Sequence, residues 1–117
     1  MITIYHNPCC SKSRAACDLV SNANANEPVE IIEYLKQPPT VEQLKALHAM
    51  LGGPLRDMIR TGETEYAELG LDAASVTDNQ LYEAIVRHPI LLQRPIVVRN
   101  GRAAIGRPTE NIEALFD

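Results

Sequence analysis

Two β-rich runs with one helical period between them constrain this chain most. "ITIY" (Ile2–Tyr5) is β-branched and aromatic, stops at Asn7-Pro8, and reads as a buried strand. Behind it Ala16, Leu19, Val20 and Ala23 fall at i, i+3, i+4 and i+7, the spacing of one apolar helix face. Weak helix formers in "NANANE" (Asn22–Glu27) break that helix, and "PVEIIEYL" (Pro28–Leu35) follows as a second strand. A strand, a crossover helix and a strand predict a parallel pair. Near the other end, Asn100-Gly101 separates "PIVVR" (Pro95–Arg99) from "RAAIG" (Arg102–Gly106). Asn-Gly is the favoured type I′ pair, because both central residues need positive φ, so an antiparallel hairpin is expected there. "PTENIEALF" then reads as a short helix with Ile112, Leu115 and Phe116 inward.

The middle of the chain is expected to be helical. "KQPP" (Lys36–Pro39) is a stop, and Thr40-Val41-Glu42-Gln43 matches a capping box that opens a helix. Leu44, Leu47 and Leu51 carry that helix to Gly52-Gly53-Pro54, and a shorter piece, Leu55–Ile59, ends near Arg60-Thr61-Gly62. Thr77-Asp78-Asn79-Gln80 is a second capping box, and the helix behind it, with Leu81, Ala84 and Ile85, must end near His88-Pro89. The assembled order is β-α-β, a helical insertion over roughly 40–88, then β-β-α: an α/β domain with a mixed sheet. No repeat, low-complexity segment or linker interrupts it, so residues 1–117 read as one domain.

A chain of 117 residues can bury about two-thirds of its unfolded surface and needs no disulfide staple. Its three cysteines are too few for a disulfide scaffold, and the odd count leaves a thiol unpaired. The start "MITIYHNP" lacks the basic segment and apolar run of a secretory leader, and no apolar run is long enough to span a membrane. A reducing cytoplasm is the expected location, where cysteines are more often catalytic or buried. A net charge of -4 disfavours non-specific binding of nucleic acid. Within that acidic total, Arg87, Arg94, Arg99, Arg102 and Arg107 crowd the last third, which suits a small anion better than a polyanion.

The chemistry is expected at the first strand–helix junction, "YHNPCCSKSR" (Tyr5–Arg14). If the helix starts near Ser11, Cys10 lies at its N-cap, where free N–H groups and the positive helix end favour thiolate over thiol. Lys12 and Arg14 add charge, and His6 lies close by in sequence. Cys10 is therefore the candidate nucleophile. Cys9 precedes the helix and reads as a neighbour without that alignment, and Cys17 as a small buried hydrophobe. Two adjacent cysteines and one histidine do not make a four-ligand zinc site, so no metal is expected.

Ser13 stands where a C-x-x-C site would carry its second thiol. It can donate a hydrogen bond to the Cys10 sulfur but cannot become a disulfide partner. Cys17 is about 10 Å from Cys10 along an intact helix, beyond the roughly 7 Å Cα separation a disulfide tolerates. An adduct on Cys10 must then be resolved by an external thiol such as glutathione. Arg60 in "DMIRTGE", Arg94 before Pro95 in "QRPIVV", and Arg107 after Gly106 in "GRPTE" sit at strand or loop ends. Arginine offers planar, permanently charged, multidentate donors, so the three suggest a tetrahedral oxyanion site.

"ITIYHNPCCSKSR", "EYLKQPPT", "HPILLQRPIVV" and "GRPTE", in this order over nearly the whole chain, resemble the arsenate reductase family that works with glutathione and glutaredoxin. "CSKSR" is similar to a shorter branch of it. The resemblance implies a thioredoxin-like fold with a helical insertion, and Cys10 as catalytic cysteine. It implies Arg60, Arg94 and Arg107 as oxyanion ligands, His6 as support for the low Cys10 pKa, and Ser13 as a hydrogen-bond partner of the thiolate. Pro95 matches the cis proline that thioredoxin-like folds place opposite the active cysteine. Arsenate is the implied substrate, glutathione the co-substrate and glutaredoxin the protein partner, with no bound cofactor. Two alternatives are carried: a non-enzymatic regulator that binds RNA polymerase, as in another branch of the family, and a thioredoxin-coupled reductase in which Cys17 resolves the adduct. Ser13 argues against the redox switch typical of the polymerase-binding branch.

Overall fold

The computed structural model describes residues 2–23, 27–106 and 109–116. The chain divides into two compact units, residues 1–37 with 94–117, and residues 38–93. The first unit is a mixed sheet with helices. Strand β1 (Ile2–His6), helix α1 (Ser11–Ala23) and strand β2 (Val29–Glu33) form the βαβ unit, and β3 (Ile96–Arg99) and β4 (Arg102–Ile105) form the hairpin. The sheet order is β2-β1-β3-β4, with β1 parallel to β2 and antiparallel to β3, and β3 antiparallel to β4. Asn100 and Gly101 adopt φ of 54° and 76°, the left-handed pair that a type I′ turn requires.

The period-2 alternation of β1 decides where its core lies. Ile2 and Ile4 face α1 and pack with Ala16, Val20, Val97, Ile112 and Leu115, all of them buried. Leu19, expected on the same helix face as Ala16 and Val20, is only partly buried against this cluster. β2 is an edge strand and ends at Glu33, two residues short of the expected Leu35. Lys36 and Gln37 N–H groups both donate to the Glu33 carbonyl, so the backbone turns there instead of extending. The closing segment Thr109–Phe116 is a 3₁₀ helix. Its buried residues, Ile112 and Leu115, are three apart, and a 3₁₀ helix aligns residues i and i+3 on one edge.

Gly106 follows β4, and its N–H donates to the Pro95 carbonyl (2.9 Å). A Cβ at this position would lie 2.8 Å from Pro95 Cγ and 2.7 Å from Ile112 Cδ1. The Ile112 end can rotate, but the Pro95 ring has little freedom. Gly106→Ala is therefore expected to destabilise the protein by about 1–3 kcal/mol, the usual range for forced overpacking, measured by urea unfolding. An unchanged midpoint would show that the ring yields.

The second unit is helical, as expected, and runs over Pro38–Gln93. Helix α2 (Val41–Leu51) opens on a complete capping box: Gln43 N–H donates to Thr40 Oγ1 (3.2 Å) and Thr40 N–H to Gln43 Oε1 (2.9 Å). The reciprocal pair Thr77–Gln80 opens α4 (Asp78–Arg87) in the same way. Helix α3 (Thr64–Glu68) and the 3₁₀ pieces Leu55–Met58 and Pro89–Leu91 fill the remainder, and Ile59 and Leu92 form an antiparallel bridge. Two side chains tie these pieces together. Arg56 donates to Tyr66 Oη and to the carbonyls of Leu71 and Ala73. His48 contacts Tyr82 Oη through Nδ1 (2.8 Å) and the Gly53 carbonyl through Nε2 (2.9 Å). Among the described residues no helix is long and apolar enough to cross a membrane.

Candidate active site

The turn after β1 is built by asparagine and proline. Cys10 N–H donates to the Asn7 carbonyl (3.0 Å), and Cys9 N–H donates to Asn7 Oδ1 (3.0 Å), so one residue closes the turn with backbone and side chain together. Asn7 N–H in turn donates to the hydroxyl oxygen of Ser13, which is fully buried (3.2 Å). Arg14 donates from Nη1 to the Pro8 carbonyl (3.0 Å). The loop is fixed at four points before any ligand arrives.

These bonds place Cys10 at the N-cap of α1. Its carbonyl accepts the first helical bond, from Arg14 N–H (3.1 Å), and its side chain stands where a serine or aspartate cap would. Desolvation by burial pushes the Cys10 thiol up. The backbone N–H groups of Ser13 and Lys12, then the charge and a hydrogen bond of Arg94, outweigh it and hold the thiol below its ordinary value. Cys9, one residue earlier, is exposed, and all three cysteines are free. The geometry separates the two adjacent thiols: one is aimed at by helix donors and a guanidinium, the other is not.

The remaining expected site residues fall as follows. Ser13 and Arg94 come together on the Cys10 sulfur, Ser13 through its backbone N–H. Pro95 follows Arg94 across a cis peptide bond and is buried. His6, half-buried at the end of β1, has its Nδ1 3.6 Å from the Cys17 sulfur. The groups that shift Cys10 are Ser13, Lys12 and Arg94. Arg60 belongs to the helical unit, where its N–H donates to the Leu91 carbonyl (2.7 Å) and its guanidinium pairs with Glu63 (2.6 Å). Arg107 lies outside the described residues.

Three contributors escape a reading of the sequence by residue type. Lys12 acts on the sulfur through its amide, which any residue but proline supplies at the second helical position. The His6–Cys17 contact joins a strand and a helix. Glu63, three residues after Arg60 across a turn, is an i, i+3 ion-pair partner and could have been found from that spacing. Among the described residues, no group of three or more His, Cys, Asp or Glu side chains is disposed to hold a metal ion.

Comparison with known proteins bears on this arrangement. The family model described as the ArsC family matches residues 5–115. A protein of Neisseria meningitidis serogroup A named arsenate reductase is 47% identical over 116 residues, covering 98% of this chain and 97% of that protein. An arsenate reductase of Escherichia coli K12 is 42% identical over 109 residues, covering 93% of this chain and 76% of its own length. A solved structure of an arsenate reductase from Vibrio cholerae superposes with a TM-score of 0.92 at 42% identity, over 97% of this chain and 96% of that one. With neighbours of this kind, the sheet unit and its helices make a thioredoxin-like α/β fold.

Proposed function

The chain belongs to the ArsC family, and from that premise we propose that it is an arsenate reductase in which Cys10 is the nucleophile and glutathione and glutaredoxin supply the electrons. One observation carries the reading most: the Cys10 sulfur is the cap of α1, with two backbone N–H groups and Arg94 favouring its thiolate. A thiolate is the attacking species, so holding it below the ordinary thiol value raises the reactive fraction at neutral pH.

The chemistry proceeds in three steps. Cys10 sulfur bonds to arsenic(V), and one arsenic oxygen takes up protons and leaves as water. Arg94, with Arg60 and Arg107 as the family resemblance implies, neutralises the oxyanion. Glutathione attacks the Cys10 sulfur next. The S–As bond breaks, its electron pair goes to arsenic, and arsenite leaves in the +3 state with the thiol proton. The product on the protein is a mixed disulfide of Cys10 and glutathione, which glutaredoxin opens to return the Cys10 thiolate. In this scheme residues 1–117 act as one cytoplasmic domain with the helical unit as its insertion, and no cofactor is bound.

The test is arsenate-dependent NADPH oxidation coupled through glutathione, glutathione reductase and glutaredoxin. Turnover that needs all three components supports the reading; none above the protein-free rate removes it. A second variant separates the routes. α1 is continuous from Ser11 to Ala23, which keeps Cys17 two helical turns from Cys10. Cys17→Ser is expected to retain most of the activity, whereas a thioredoxin-coupled route resolved by Cys17 would lose all of it.

A further inference from the structure

The α1 face that covers β1 touches the end of that strand at two points. Ser13, Ala16, Cys17 and Val20 share this face at i, i+3, i+4 and i+7, and Ile2, Ile4 and His6 share the facing side of β1 at period 2. Ser13 takes the Asn7 N–H, and four residues along the helix Cys17 meets the His6 ring, with Sγ 3.6 Å from Nδ1. Such a contact holds one proton, and its position decides what the other edge of the imidazole can do.

We propose that Cys17 is a positioning residue: its thiol donates to His6 Nδ1, fixing the imidazole proton on Nε2 and leaving His6 a hydrogen-bond donor at its other edge. A thiol is a weak acceptor and an imidazole nitrogen a strong one, so S–H to N is the better arrangement of this pair. Burial, then the charge of Asp18, pushes the Cys17 thiol up, so the sulfur keeps the proton it donates. Nδ1 is then occupied and cannot accept a proton from substrate or nucleophile. The N–H that remains suits an anion, whether thiolate or oxyanion. This consequence for catalysis rests on the reading of Cys10 as the nucleophile, whereas the proton position does not.

The test is nitrogen–proton correlation NMR of the whole protein near pH 9, where an ordinary histidine is neutral, with His48 as internal control. The Gly53 carbonyl can only accept, so His48 also carries its proton on Nε2, without any part played by Cys17. The wild type is expected to show His6 as a single tautomer with the proton on Nε2. Cys17→Ala should relax His6 to the mixture of tautomers of a free imidazole, while His48 stays unchanged. Cys17→Ser, whose hydroxyl can donate, should restore the single form. A proton on Nδ1 in the wild type, or a His6 spectrum that Cys17→Ala leaves unaltered, overturns the proposal. These spectra involve no arsenate: the expected pattern without turnover would remove the enzymatic reading alone, and turnover with an unaltered pattern would remove only the positioning role.

Discussion

Cys10→Ser is expected to lower arsenate turnover to the protein-free rate while leaving the protein folded. The loss has two sources. A serine hydroxyl is not ionised near neutral pH, and two amide donors and one guanidinium cannot close so wide a gap. More decisively, oxygen cannot take the place of sulfur in the redox step. An arsenate ester on serine could only hydrolyse, because no disulfide with glutathione can form to return two electrons to arsenic. The fold is expected to survive because serine is itself a favoured N-cap, so the start of α1 keeps a side-chain acceptor for its free N–H groups. Turnover of Cys10→Ser equal to wild type in the coupled assay would end the assignment of Cys10.

Arg94→Ala is expected to act on the sulfur and on the anion at once. Removing the guanidinium takes away both its charge and its hydrogen bond to Cys10, leaving only the Ser13 and Lys12 amides against desolvation. The pH midpoint for alkylation of Cys10 by iodoacetamide, followed residue by residue by mass spectrometry, should therefore rise. Cys17, pushed up by burial, should titrate above the ordinary thiol value in wild type and variant alike. Loss of a donor aimed at developing charge commonly lowers turnover about 10²–10³-fold, and a fall of that order in kcat/KM for arsenate is expected. Arg94→Lys should recover part of the midpoint shift, because charge survives, but less of the turnover, because the planar fork does not. An unchanged midpoint and unchanged turnover in Arg94→Ala would remove Arg94 from the site.

The lowered Cys10 value also sets a sign for stability. Between the folded-state value and the ordinary thiol value of about 8.5, the unfolded chain binds a proton that the folded chain has released. Unfolding free energy should rise with pH across that window through this group. The gain is complete above the ordinary value and lost as pH falls through the folded one. Cys10→Ser lacks this group, so the difference between the two proteins' unfolding free energies should follow that curve.

What could be read in advance followed the range of the interactions involved. The two capping boxes, the Asn-Gly turn and the βαβ order are local patterns, and each was legible in a few residues. Thr64–Glu68 and Pro89–Leu91 were not, because pieces of one turn are too short to show a period; Arg56, reaching three partners, helps to hold the stretch around the first. The close of β2 is set by a turn on the Glu33 carbonyl, which β-propensity in "EIIEYL" does not reveal. At the site, Cys10 was legible because a helix start depends on its own sequence. Arg94 was legible as a cation at a strand start, but its contact with the sulfur is made across the fold. The placement of His6 beside Cys17 needed two periodicities in register, one in the strand and one in the helix.

The capping role of Cys10 ties the firmness of α1 to the chemical state of one atom. Serine and aspartate caps are permanent, but a cysteine cap is withdrawn whenever its sulfur is covalently occupied. In the mixed disulfide with glutathione proposed above the sulfur would carry no charge, and the amides of Lys12 and Ser13 would lose their anionic acceptor. A missing cap commonly costs a helix about 1 kcal/mol. The first turn of α1 should then open more often in the glutathione adduct than in the free thiolate and tighten again once glutaredoxin has acted. Hydrogen exchange at those two amides would follow the catalytic cycle from within the backbone.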